Sequence, residues 1–130
     1  MNFNEAKYNT ITKENINEMV LKFYRRILAE DTEVSKVFKA RLGEDINSDV
    51  WKTHTDLLTD FWAMIALQDP SYQGNPMMAH FDMGLTREMF PIWIKLFFET
   101  VDSVYEEDQG IIFKSRAENI ATNFMRNLGL

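Results

Sequence analysis

Residues 75–87 read NPMMAHFDMGLTR. Gly74 and Pro76 open the stretch and Gly84 closes it, so it is too short and too interrupted to form a long amphipathic helix of its own. At its centre stands His80, one of only two histidines in the chain, among Met77, Met78, Ala79, Phe81 and Met83. Thioether side chains of this kind fill irregular gaps and adapt to shape. Read alone, His80 is a loop histidine satisfied by a backbone carbonyl. What the neighbouring elements aim at it decides whether it is more.

Upstream, residues 68–76 (QDPSYQGNP) are turn chemistry throughout and deliver the chain to the His80 segment. Before them the spacing predicts a helix from Ser48 or Asp49 to Leu67, with Trp51, His54, Leu57, Leu58, Phe61, Trp62 and Ile65 on one side. His54 sits within that apolar stripe, where an ionisable group is costly unless it is hydrogen-bonded or coordinated. Downstream, Thr86 is expected to cap a helix with Glu88 in its first turn and Pro91 early enough to be tolerated. Its apolar face reads Phe90, Trp93, Ile94, Phe97, Val101, Val104 and Tyr105. Asp108 is expected to cap a last helix with the stripe Ile112, Ala117, Ile120, Phe124 and Leu128, ending at Gly129.

Towards the N-terminus, Thr12 caps a helix that starts at Lys13 and runs to about Glu30, with Ile16, Met19, Val20, Phe23, Tyr24, Ile27 and Leu28 three and four residues apart. Tyr24 belongs to this stripe, yet carries a hydroxyl that needs a partner when buried. Trp93 likewise brings an N–H donor to an apolar face. Asp31 or Thr32 starts a shorter helical piece through Val34, Val37 and Phe38, ended by Gly43, with Lys36, Lys39 and Arg41 placed to meet a small anion or simply to face solvent.

The chain is therefore all-helical, with about four long helices and one short interrupted segment. Its 130 residues make one domain, 1–130. No apolar run approaches the roughly 18 residues that span a bilayer, and the N-terminus lacks the pattern of a secretory signal, so the expected location is cytoplasmic. The absence of cysteine removes disulfides, thiolate metal sites, cysteine nucleophiles and covalent haem attachment. A net charge of −6 argues against nucleic acid as a partner. Eight methionines, ten phenylalanines and three tryptophans describe either an aromatic-rich core or one packed around something other than itself.

Familiar enzyme templates are missing. The sequence has no GxSxG element, no HExxH, no phosphate-cradling glycine loop and no paired ExxH carboxylates. What remains is a flat apolar ligand held by one imidazole, and haem fits: its iron takes a proximal histidine, its porphyrin takes apolar walls, and nearby donors set its distal chemistry. His80 would then be presented from the interrupted segment, and Tyr24, His54 and Trp93 would supply donors on the other side.

The order and spacing of several short motifs make the reading specific. Phe23-Tyr24, Val37-Phe38, WKTH ending at His54, DFW ending at Trp62, AHFDM around His80 and FPIWIKLFFE around Trp93 together resemble the truncated haemoglobins, most closely their group III class, over essentially the whole chain. The glycine pairs of the other truncated classes are absent, in keeping with group III. The resemblance implies a truncated globin-like two-over-two helical sandwich enclosing haem b. It implies His80 as proximal iron ligand, Tyr24 and Trp93 as the main distal donors, and His54 as the distal histidine, which either gates entry, takes the sixth position on the iron or stands aside. It implies Phe23, Phe38, Leu58 and Phe90 as pocket walls, with Trp62 packed behind the distal helix. Lys36, Lys39, Lys52 and Arg87 are the candidate cations for the propionates.

Such a protein is expected to bind dioxygen, nitric oxide or other diatomic ligands. Several donors aimed at the ligand would slow its release, which argues for chemistry on it: nitric oxide dioxygenation or a peroxidase-like reduction, fed by an electron-donating reductase. A second reading is an oxygen or nitric oxide sensor or scavenger without turnover. A third is a haem-free helical interaction module whose aromatics are only core.

Overall fold

The computed structural model describes residues 7–72 and 84–129, which form five helices: α1 (Lys13–Ala29), α2 (Glu33–Leu42), α3 (Asp49–Leu67), α4 (Met89–Val104) and α5 (Glu107–Asn127). His80, with the rest of residues 73–83, lies outside the described residues. Among the described residues there is no strand beyond an isolated parallel bridge between Tyr8 and Tyr105, and no helix is long and apolar enough to cross a membrane.

The first three helices begin where local chemistry satisfies their orphan N–H groups. Thr12 and Asn15 form a capping box: the Thr12 hydroxyl accepts from the Asn15 N–H at 3.1 Å, and Asn15 Oδ1 accepts from the Thr12 N–H at 2.9 Å. Thr32 and Ser48 cap α2 and α3 through the N–H groups of Ser35 and Trp51. Gly43 ends α2 at φ 83° and ψ −177°, a conformation essentially restricted to glycine, and its carbonyl accepts the Trp51 indole N–H at 2.8 Å.

The last two helices start otherwise than the sequence predicts. Thr86 is not a side-chain cap; its carbonyl accepts the Met89 N–H at 3.1 Å in a turn, and Glu88 precedes the helix without a side-chain cap bond. Pro91 is consequently the third helical residue, among the first N–H positions that have no intrahelical acceptor in any case. Asp108 lies inside the first turn of α5 and Glu106 is the cap residue, because the Gly110 N–H already closes onto the Glu106 carbonyl at 2.9 Å.

Helix α1 packs across α3, α4 packs against α5, and α1 also meets α4, so one helix pair lies on the other. A short polar contact marks the α1–α3 crossing, where Asn17 Nδ2 donates to the buried Thr59 hydroxyl at 3.1 Å. The N-terminal lead is tied to the α4–α5 junction: the Tyr8 N–H donates to Val104 O and the Glu106 N–H to Tyr8 O, both at 2.9 Å. Beneath it the Tyr105 hydroxyl donates to Asn15 Oδ1 at 2.5 Å.

Three stripes differ from the sequence reading: on α3 Leu57 is exposed, on α4 Leu96 is buried, and on α5 Ile112 is exposed while Phe113 is buried. On α3 the inward face includes Thr55 and Thr59, whose hydroxyls donate to the carbonyls of Lys52 and Thr55, so polar residues occupy a face that hydropathy assigns to leucine.

Candidate functional site

Between the helix pairs lies an apolar cavity of about 820 Å³, counting the open space at its mouth. α1 contributes Val20, Phe23 and Tyr24, α2 Val34 and Phe38, and α3 Leu58, Phe61 and Trp62. The opposite wall is built by Leu85 with Met89, Phe90, Trp93 and Phe97 of α4, and α5 closes it with Ile120, Ala121 and Phe124. Phe23, Phe38, Leu58 and Phe90 thus stand on one cavity together with Tyr24 and Trp93. His54 does not line it; its half-buried ring packs on two residues that do, Tyr24 and Phe38, at centroid distances of 5.0 and 6.1 Å.

Three lining side chains carry an O–H or N–H group: Tyr24, Trp62 and Trp93. None of these groups is hydrogen-bonded to a described residue, in contrast to Trp51, whose indole N–H is engaged by Gly43. Tyr24 is 5% exposed, and burial alone pushes its phenol far above the ordinary range, so it stays protonated and able to donate. The Phe23 ring stands edge-on to both Tyr24 and Trp93, at 5.0 and 6.2 Å.

The family resemblance implies Trp62 packed behind the distal helix, whereas it forms part of the cavity wall and stacks on Phe97 at 5.1 Å and 16°. Val20, Phe61, Phe97, Ile120 and Phe124 were visible as stripe members but not as walls. Val34 is likewise a stripe member of the second helix, whereas Leu85, Met89 and Ala121 carry no signal that sets them apart. Of the candidate anion-binding cations, Lys36 pairs with Glu33 at 3.2 Å and Lys39 donates to the Glu30 carbonyl at 3.3 Å. Lys52 and Arg87 are exposed.

No family profile matches the chain. A group 3 truncated haemoglobin, ctb, of Campylobacter jejuni subsp. jejuni is 32% identical over 123 residues, 94% of this chain and 94% of that protein. The crystal structure of the group III truncated haemoglobin from Campylobacter jejuni matches with a TM-score of 0.84 at 33% identity, over 95% of each chain. The chain belongs to the group III truncated haemoglobins.

Truncated haemoglobins bind haem, and the residues of this one fit such a group. The walls are apolar and largely aromatic, which suits a flat porphyrin, and the Tyr24 hydroxyl, without a hydrogen bond to any described residue, is a buried donor suited to a polar ligand atom. Among the described residues no cluster of three or more His, Asp or Glu side chains is placed to hold a metal ion. His80, the expected protein ligand, is five residues before the cavity-wall residue Leu85.

Proposed function

We propose that this truncated haemoglobin binds haem b with His80 as the axial ligand, and that it transforms a diatomic ligand or peroxide held beside Tyr24 and Trp93. Haem, held by His80 and the apolar walls, would supply a redox-active iron able to bind a small molecule. The observation that carries the reading is the Tyr24 hydroxyl: buried on the wall of an apolar cavity, protonated, and without a hydrogen bond to any described residue.

The chain's own part in the chemistry is electrostatic and steric. Phe23, Phe38, Leu58 and Phe90 exclude water and hold the ring system by apolar contact. Tyr24 O–H and Trp93 Nε1–H donate to the ligand atom on which negative charge develops, and in a low-dielectric site such donors act strongly because they need no reorganisation. Each charge-assisted bond contributes about 1.5–3 kcal/mol. Two of them retain the ligand too firmly for a carrier that must release it. Retention favours conversion, such as nitric oxide with dioxygen to nitrate, or peroxide to water, with electrons from a reductase. His54, braced against Tyr24, gates access from the α3 side.

Stopped-flow mixing of the reduced, oxygenated protein with nitric oxide tests this. Rapid nitrate formation, repeated in turnover with a reductase, is expected. Binding without nitrate or peroxide turnover would make the protein a sensor or scavenger instead. The lack of an intense Soret band after haem addition would leave only a helical interaction module.

A further inference from the structure

Two indoles of the cavity wall stack on one ring: Trp93 lies 5.5 Å from Phe97 with planes 1° from parallel, and Trp62 lies 5.1 Å from it at 16°. The file of rings continues outward. Trp62 meets Phe113 at 5.7 Å, Phe113 stacks on Tyr105 at 5.0 Å and 23°, and Tyr105 meets Tyr8 at 6.2 Å. Trp62, Phe97, Phe113 and Tyr105 are buried, whereas Tyr8 is 38% exposed. A path of aromatic contacts thus leads from the cavity to solvent.

Packing explains why the rings touch. The hydroxyl partners at the outer end carry a second message. Tyr105 donates to the amide oxygen of buried Asn15 at 2.5 Å, and Tyr8 donates to a carboxylate oxygen of Glu18 at 3.3 Å, at the surface. A phenol that loses an electron must also shed its proton. An amide oxygen is no base, and a carboxylate is one. Of the two phenols, Tyr8 is therefore the one whose hydroxyl faces a proton acceptor.

We propose that these rings form an electron-input route, with Tyr8 as the surface terminus where a one-electron reductant of the ascorbate or phenol class feeds hydrogen peroxide being reduced in the cavity. The inference rests on the haem reading above in its peroxide-reducing form. In each event Tyr8 loses one electron inward, by way of Tyr105 and Trp62 with the phenylalanines bridging, and its proton passes to Glu18 and on to water. Two such events, with two protons from solvent, convert one peroxide to two waters. After each event a reductant molecule returns one hydrogen atom to the Tyr8 radical and leaves as its own radical. With no cysteine in the chain, thiols do not compete.

Tyr72 is the rival terminus, because it meets Phe61 at 5.3 Å and Phe61 meets Trp62 at 5.2 Å. Among the described residues no carboxylate accepts its proton. Haem-loaded wild type, Tyr8→Phe, Tyr72→Phe and Glu18→Gln should be mixed with hydrogen peroxide and a nitroso spin trap, and the labelled peptides mapped by mass spectrometry. Label at Tyr8 is expected in wild type and Tyr72→Phe, and is lost in Tyr8→Phe together with a several-fold slowing of peroxide-driven ascorbate oxidation. Glu18→Gln should lower the Tyr8 label while leaving the optical spectrum unmoved. Peroxide consumption with label at Tyr72, or with none at Tyr8, overturns the route and spares the proposed function. No peroxide consumption and no Soret band overturns both.

Discussion

The His54 imidazole meets the Tyr24 ring edge-on, with centroids 5.0 Å apart and planes at 74°. Phe23, Phe38 and Trp51 pack on the same tyrosine at 5.0, 5.5 and 5.2 Å. Rings from α1, α2 and α3 thereby cage one phenol, so the position of its hydroxyl oxygen is set before any ligand arrives. Preorganisation of this kind is what makes a donor effective in a reaction.

Tyr24→Phe should keep the fold and release dioxygen faster. Loss of a charge-assisted bond of about 1.5–3 kcal/mol corresponds to roughly a ten- to hundred-fold faster dissociation. Stopped-flow displacement of dioxygen measures the rate, and an unchanged rate would remove Tyr24 from its assigned role. Thermal stability should stay close to wild type, since the hydroxyl has no hydrogen-bond partner among the described residues to lose.

His80→Ala should retain the five described helices by circular dichroism but take up haem weakly and with altered axial ligation. Optical and resonance Raman spectra of the reconstituted protein report this. A variant with unaltered ligation would assign the iron ligand elsewhere.

Gly43→Ala isolates backbone strain, because a Cβ there meets nothing within 4 Å while φ is 83°. The expected cost is about 1–3 kcal/mol. It should appear as a lower melting temperature by roughly 3–5 °C per kcal/mol. Differential scanning calorimetry would show it, and no change would mean that the α2 end relaxes freely.

Phe113→Ala removes a ring that is wholly buried between Trp62 and Tyr105. Truncations of this kind cost about 3–5 kcal/mol. Chemical denaturation should show a markedly lower midpoint, whereas Ile112→Ala, one residue away and exposed, should change little.

Stability should decline on the alkaline side. Burial raises the Tyr24 and Tyr105 phenols well above the ordinary value of 10.0, with Glu18 adding to the effect at Tyr105. The folded state holds these protons more tightly than the unfolded chain does. The resulting stabilisation is complete below that value and falls away as pH rises past it. In a spectrophotometric titration of the phenolate band, Tyr24 and Tyr105 should ionise together with unfolding, and Tyr105→Phe should make the alkaline loss of structure shallower.

Much of this protein is written in contiguous residues. Thr12, Thr32 and Ser48 mark the starts of α1, α2 and α3 because an N-cap bond spans only three residues, and Gly43 marks an end because few other residues accept its backbone angles. The ordered motifs around Tyr24, His54 and Trp93 name the family for a similar reason: each sets a polar group within an apolar stripe, a combination that is costly unless the group has a partner. Helix phase was another matter. Whether Ile112 or Phe113, Leu57 or Thr59 turns inward depends on which neighbour lies against the helix, and that is information from residues far along the chain. The same holds for the cavity, where Val34 of α2, Leu85 before α4 and Ala121 of α5 meet only once the two helix pairs are stacked. Sequence alone determined the helices and the chemistry on offer; tertiary packing decided which of those groups share one space, because burial belongs to the assembly and not to any single helix.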